Sequence, residues 1–127
     1  MKTIQNNYTK TRFSANDAAL VLIDHQSGIV QLVHDYSPAE FRNNVIGLAK
    51  LGKVFKLPAV LTTSLGQVLN GPFIPEVLSL FPDLPVIDRP GIISAWDDPK
   101  VVAAIEKTGC KKVIMASVTI ARCLRCA

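Results

Sequence analysis

The sequence predicts an α/β domain of three layers, α/β/α, in which a mostly parallel sheet lies between helices. Two observations carry this prediction. Apolar, strand-like runs alternate with helix-like segments along the chain, and chemically reactive side chains come directly after several of those runs. Connections between parallel strands in such a sheet are expected to be right-handed crossovers.

The first predicted strand is the apolar run AALVLI at Ala18–Ile23, typical of a strand buried on both faces, and Asp24 follows it directly. The next segment, Ser37-Pro38-Ala39-Glu40, combines an N-cap serine, a proline at the first helical position and a capping-box glutamate. We therefore expect a helix over residues 38–55. Its apolar residues recur at steps of three and four and should form one stripe against the sheet: Phe41, Val45, Leu48, Leu51 and Phe55.

Three more strands complete the expected sheet, at residues 59–63, 85–87 and 112–116. Residues 64–72 are rich in Gly, Asn and Ser and are predicted to be a loop, followed by a short helix over residues 75–80. A further helix is expected over residues 99–108, because an acidic start precedes Pro99 and Gly109 suits the end.

Size and charge limit the classes of function. A chain of 127 residues suits one core, so residues 1–127 are predicted to be a single domain. The net charge of +4 comes from scattered residues without a basic run, which does not favour nucleic acid as a partner. No run approaches the roughly 20 apolar residues of a membrane span, and the polar start lacks a signal core, so a cytoplasmic protein without a membrane partner is expected.

Three residues with complementary chemistry, Asp24, Arg89 and Cys123, each follow a different predicted strand. In parallel sheets the reactive site lies beyond the carboxyl ends of the strands. Cys123 would be a thiolate nucleophile, helped by a helix N-terminus and by Arg89 if the third strand adjoins the fourth, and Asp24 would transfer protons. This set suits attack on an amide-like carbon through a thioester, with the oxyanion held by backbone N–H groups. The structural alternative is that Asp24 caps a neighbouring turn, Arg89 makes a surface ion pair and Cys123 packs in the interior.

Several stretches match a known family in order along the chain. The longest is residues 16–28, which includes Asp24-His25-Gln26, and the others are residues 41–45, 57–64, 70–72, 89–91 and 95–98. On these stretches the sequence resembles the isochorismatase-like cysteine hydrolases, particularly the YcaC-like subgroup. The resemblance implies the isochorismatase-like hydrolase fold, a small-molecule substrate, no cofactor, and a homo-oligomer for the full-length protein.

The resemblance also implies site residues. The family's aspartate, positively charged residue and cysteine fall on Asp24, Arg89 and Cys123. A non-proline cis peptide that shapes the oxyanion hole would fall on Val118-Thr119; such a bond costs about 3–4 kcal/mol and marks functional sites.

The end of the chain departs from the family pattern. Ser117 stands where the family has glycine, and Thr119 lies four residues before Cys123, where the family has three. Family members continue through further helices and strands, so we expect a domain that is incomplete at its C-terminus, by truncation or frameshift. The alternative is a truncated family member that is catalytically inactive and retains only contacts between subunits.

Other residues allow competing interpretations. Cys123 and Cys126 form a C-x-x-C, so a redox dithiol or a metal-binding protein is the rival from another class. A metal site is not expected at His25, because the histidine-rich loop of the nicotinamidase branch is absent. Thr63, Asn70 and Trp96 are candidate substrate-binding residues at the same sheet edge. For Trp96 an apolar core or subunit interface, and for Thr63 a turn hydrogen bond, are the alternatives.

Overall fold

A computed structural model describes residues 14–67 and 69–119. Four parallel strands form one sheet in the order β3-β2-β1-β4. The strands are β1 (Ala18–Ile23), β2 (Ala59–Ser64), β3 (Val86–Arg89) and β4 (Lys112–Ser117). The helices are α1 (Ser27–Val30), α2 (Pro38–Val54), α3 (Pro75–Leu80) and α4 (Pro99–Lys107). The predicted α/β class and parallel sheet are confirmed.

The centre of the fold is β1, none of whose residues is more than 1% exposed. It pairs with β2 on one side, and on the other with β4, from Ala18 opposite Lys112 to Ile23 opposite Ser117. Because successive side chains of a strand point to opposite faces, an interior strand covered on both faces must be apolar throughout.

Each face of the sheet has its own apolar core. Leu20 and Leu22 of β1 pack with α2 and α3 on one face. Val21 and Ile23 pack with α4 on the other, through Val101 and Ile105. Burying a side chain of this size contributes about 1.5–3 kcal/mol, so the two cores hold the three layers together.

The start of α2 is confirmed in detail, but its buried face differs from the prediction. The Ser37 side chain accepts a hydrogen bond from the Glu40 N–H, and the Glu40 carboxylate accepts one from the Ser37 N–H. Leu51 is 55% exposed, whereas Gly52 is buried. A Cβ at Gly52 would lie 2.6 Å from Leu20 Cδ2, so the helix approaches β1 through its small residues and turns Leu51 outward.

The strand order corrects one expectation about the site. β3 and β4 lie at opposite edges of the sheet, so the third strand does not adjoin the fourth. The chain adds β2 and then β3 on one side of β1, and crosses back through α4 to place β4 on the other side. The order therefore reverses between β1 and β4, and ligands of open parallel sheets bind beside such a reversal.

Short elements account for most remaining differences. α1 and the 3₁₀ turns at Ala15–Asp17 and Ala95–Asp97 were not predicted, because three or four residues are too few to show periodicity. Within residues 14–67 and 69–119, none of the helices has the length and apolar character of a membrane span.

Candidate active site

Asp24 stands at the point where the strand order reverses. It follows β1, and its backbone N–H extends the sheet by donating to Thr62 O over 3.0 Å. Its φ of 60° is left-handed, a conformation that aspartate tolerates better than most residues, and its carbonyl accepts from the Gln26 N–H at 2.7 Å. This turn ends the strand and holds the carboxylate at the carboxyl edge of the sheet.

The Asp24 carboxylate is in contact with Arg89, the last residue of β3. Arg89 Nη2 lies 2.9 Å from Asp24 Oδ2, and the two side chains are 0% and 4% exposed. The long arginine side chain spans the end of β2, which separates the two strands. Asp24 and Arg89, selected in the sequence because each follows a strand, are therefore one buried ion pair.

Further hydrogen bonds fix the guanidinium group. Nε donates to Ile92 O at 3.0 Å, and Nη2 also donates to Ile93 O at 3.3 Å. Nη1 donates to Thr62 Oγ1 at 3.0 Å, and that hydroxyl donates to Ile87 O at 2.7 Å. The planar fork of arginine supplies all of these donors at once, which a lysine could not do.

The described chain ends beside this pair. Ser117, the last residue of β4, is opposite Ile23, and Val118 and Thr119 follow. The described residues contain no cis peptide bond, so the cis geometry expected at Val118-Thr119 is not present. The trans form of a non-proline bond is favoured by about 2.5–4 kcal/mol, and cis forms persist only where the surrounding structure enforces them. Cys123 and Cys126 lie outside the described residues.

Comparison with known proteins identifies the fold. No protein-family model matches the sequence. The chain is 48% identical over 113 residues to the probable hydrolase YcaC of Escherichia coli (strain K12), covering 89% of this chain and 54% of that protein. An isochorismatase family protein from Burkholderia thailandensis has a TM-score of 0.70 at 19% identity, covers 84% of this chain and 67% of that one, and supports the fold alone.

Two solved YcaC structures match more closely. The E. coli protein, described as an octameric hydrolase of unknown specificity, has a TM-score of 0.86 at 48% identity, covering 89% of this chain and 55% of that one. YcaC from Pseudomonas aeruginosa, solved with hexane-2,5-diol and covalent acrylamide, has a TM-score of 0.86 at 46% identity. The match covers 90% of this chain and 56% of that one. The chain is thus similar to YcaC over about nine tenths of its own length and has the isochorismatase-like fold. It spans about half the length of these relatives.

The three predicted substrate-binding residues each make structural contacts. The hydroxyl of Thr63, which is buried, donates to Asp88 Oδ1 at 2.8 Å and ties β2 to β3. Asn70 Nδ2 donates to Ser64 O at 2.7 Å within the loop after β2. Trp96 is half-buried and packs against the apolar core on the α4 face, so the core contact named as its alternative is present.

His25, the residue after Asp24, is a buried aromatic side chain. Its ring lies 6.1 Å from the centre of the Phe41 ring and 5.8 Å from that of Phe73. Burial lowers its pKa to about 4, against a smaller opposing effect of the Asp24 charge. Among the described residues, no group of three His, Cys, Asp or Glu side chains could hold a metal ion.

Two buried polar residues near Asp24 and Arg89, Thr62 and Gln26, were not predicted as site residues from the sequence. Threonine is common in strands, so nothing in the run AVLTT indicated that Thr62 would bind Arg89. Gln26 follows Asp24 by two residues, and its position within the matching stretch was the only signal that could have found it.

Proposed function

We propose that the whole protein hydrolyses a small amide-like carbon–nitrogen bond, with Cys123 as nucleophile, Asp24 as the proton-transferring base and Arg89 orienting Asp24. One observation carries the proposal: a buried carboxylate–guanidinium pair stands where the strand order reverses, next to the strand that leads to Cys123. A buried arginine whose guanidinium group is held by several hydrogen bonds is suited to fixing a carboxylate in one orientation.

The number of residues between β4 and Cys123 supports a shared site with Asp24. Ser117 lies opposite Ile23, the residue before Asp24. Cys123 follows Thr119 by four residues, which span at most about 14 Å of extended chain.

The proposed reaction has two stages. In the first, the thiol proton passes to the Asp24 carboxylate and the sulfur attacks the carbonyl carbon, giving a tetrahedral oxyanion that backbone N–H groups near Val118-Thr119 would stabilise. Protonated Asp24 then donates to the leaving nitrogen, and the carbon–nitrogen bond breaks to leave a thioester. In the second stage water attacks the thioester and Asp24 takes its proton. The carbon–sulfur bond then breaks, the acid is released, and Asp24 returns the proton to the departing sulfur.

The proposal also covers the substrate-binding residues, the cofactor, the oligomeric state and the location of the protein. Thr63, Asn70 and Trp96 are the proposed substrate-binding residues, and no cofactor is required. The E. coli relative is described as octameric, which supports a homo-oligomer for the whole protein. A reduced cysteine nucleophile suits the cytoplasm.

A panel of small amides tests this proposal directly. Cys123→Ala should lose at least about a thousandfold in turnover, because the covalent step is removed, whereas Cys126→Ala and the matched control Cys110→Ala should keep it. Equal turnover in the native protein and Cys123→Ala would exclude the nucleophile. Loss confined to Cys126→Ala would favour the C-x-x-C dithiol.

Acrylamide supplies a second readout that needs no substrate. The P. aeruginosa relative is described with covalent acrylamide, and the double bond of acrylamide adds to thiolates. Peptide mass mapping after brief exposure should show Cys123 modified at least about tenfold faster than Cys110 or Cys126. Equal rates for the three cysteines would count against an activated Cys123.

A further inference from the structure

We infer that Gln26 is a positioning residue, whose side-chain amide holds the loop of residues 64–72 against the turn that carries Asp24. Gln26 is fully buried. Its Nε2 donates to Ser64 O at 3.1 Å and to Gly71 O at 2.8 Å, and its Oε1 accepts from the Ser64 N–H at 2.8 Å. One side chain thus binds both ends of the loop.

The far end of the loop is closely packed against α1. Gly28 N–H donates to Asn70 O and Ser27 N–H donates to Pro72 O, both at 3.0 Å. A Cβ at Gly28 would lie 2.8 Å from Asn70 O, and one at Gly71 would lie 2.5 Å from Ser27 Oγ. The loop and α1 therefore approach each other so closely that no side chain fits at either glycine.

The near end of the loop is bound to β3. Leu65 N–H donates to Arg89 O at 3.1 Å, and Gly66 N–H donates to Asp88 Oδ1 at 2.9 Å. The loop therefore joins the turn after β1, which holds Asp24, to the strand end that holds Arg89. It also carries Asn70, whose side chain bonds to the same Ser64 carbonyl as Gln26.

The chemistry of this position requires an amide. An amide both donates and accepts, so it satisfies the N–H and the C=O of Ser64 together. A carboxylate of the same shape only accepts, and would face the carbonyl oxygens of Ser64 and Gly71 with a negative charge. Losing these buried bonds releases the loop, whereas β1 and the Asp24–Arg89 pair keep their own contacts.

The expected consequence is on substrate binding more than on the chemical step. Gln26 acts through the loop, and the loop carries the proposed substrate contact Asn70. This part of the inference rests on the proposed function. We therefore expect Gln26→Glu to raise KM about tenfold while kcat stays within about threefold, and Gln31→Glu, the same change at an exposed residue, to alter neither.

Hydrogen exchange tests the loop without any substrate. In Gln26→Leu, which removes all three hydrogen bonds of the side chain, the amides of Ser64 and Gly66 should exchange about tenfold faster, the factor that follows from hydrogen bonds of ordinary strength, while amides of β1 and β4 keep their rates. Gln26→Glu loses the two donated bonds but keeps an acceptor for the Ser64 N–H, so Gly66 alone should exchange faster; this variant serves if the leucine variant does not fold.

The outcomes separate the two claims. Unchanged exchange at Ser64 and Gly66 would overturn the inference, and so would faster exchange with KM unchanged, since Gln26 would then be structural only. If the native protein hydrolyses no amide and Cys123 ignores acrylamide, the proposed function fails. The exchange rates then decide alone whether Gln26 holds the loop.

Discussion

The carboxylate of Asp24 and the guanidinium group of Arg89 are both buried, so each compensates the charge of the other. A buried ion pair gains little over an apolar replacement of both partners, but removing one member costs about 3–5 kcal/mol. Arg89→Met should therefore lower the free energy of unfolding by about that amount, measured by chemical denaturation. Arg42→Met, at the exposed Arg42–Glu76 pair, is the matched control and should change it by less than about 1 kcal/mol. Similar losses in the two variants would mean that the Asp24–Arg89 pair does not stabilise the fold.

His25 gives a prediction about pH. Its pKa is lowered from 6.5 to about 4 by burial, so protons bind the unfolded chain more readily than the folded one. This contribution to stability is complete above pH 6.5 and is lost as the pH falls toward 4, by about 3 kcal/mol over the whole window.

Denaturation at several pH values measures this slope. His25→Gln should remove the slope between about pH 7 and 5, whereas His34→Gln, at an exposed histidine, should keep it. An unchanged slope in His25→Gln would show that His25 does not titrate as its burial requires.

At the scale of elements, sequence patterns predicted what depends on local chemistry. The capping box of Ser37 and Glu40 and the apolar run of β1 each specify their element through neighbouring residues. The buried face of α2 depended on contact between Gly52 and Leu20, which are distant in sequence. The Asp24–Arg89 contact depended on the strand order, which residue patterns do not encode.

Two glycines of α2 test how closely this helix lies against the sheet. A Cβ at Gly47 would meet none of the described atoms within 4 Å, so Gly47→Ala should stabilise by about 0.5–1 kcal/mol through helix propensity. A Cβ at Gly52 would meet the buried Leu20 at 2.6 Å, and overpacking costs about 1–3 kcal/mol. Thermal unfolding should therefore place Gly52→Ala below Gly47→Ala; equal gains would contradict the close approach.

At the scale of the whole molecule, the two sheet edges of the described residues differ. β3 is short, follows Pro85 and contains Asp88, features that discourage pairing with other strands. β4 has six residues, an apolar middle of Val113, Ile114, Met115 and Ala116, and is half-exposed throughout. Among the described residues no strand pairs with the outer edge of β4, so its free backbone groups can pair with a strand of another molecule.

We therefore expect the 127-residue chain to self-associate through β4. Ser117→Lys, at a residue of β4 outside the two apolar cores, should reduce association, measured by light scattering over a range of concentrations, because a charge on an edge strand opposes pairing. Leu32→Lys adds the same charge at an exposed residue outside the sheet and should leave association unchanged. Equal effects of the two variants would assign the result to net charge.

The shared site of Asp24 and Cys123 is tested most directly by the turnover of one small amide by four proteins: native, Asp24→Asn, Cys123→Ala and the double variant. Residues that act in one step are not additive, so each single variant should lose at least about a hundredfold and the double variant no more than Cys123→Ala alone. Asp35→Asn, at an exposed carboxylate, is the control and should retain the native rate. Native turnover in Asp24→Asn, or losses that multiply in the double variant, would show that Asp24 and Cys123 do not form one site.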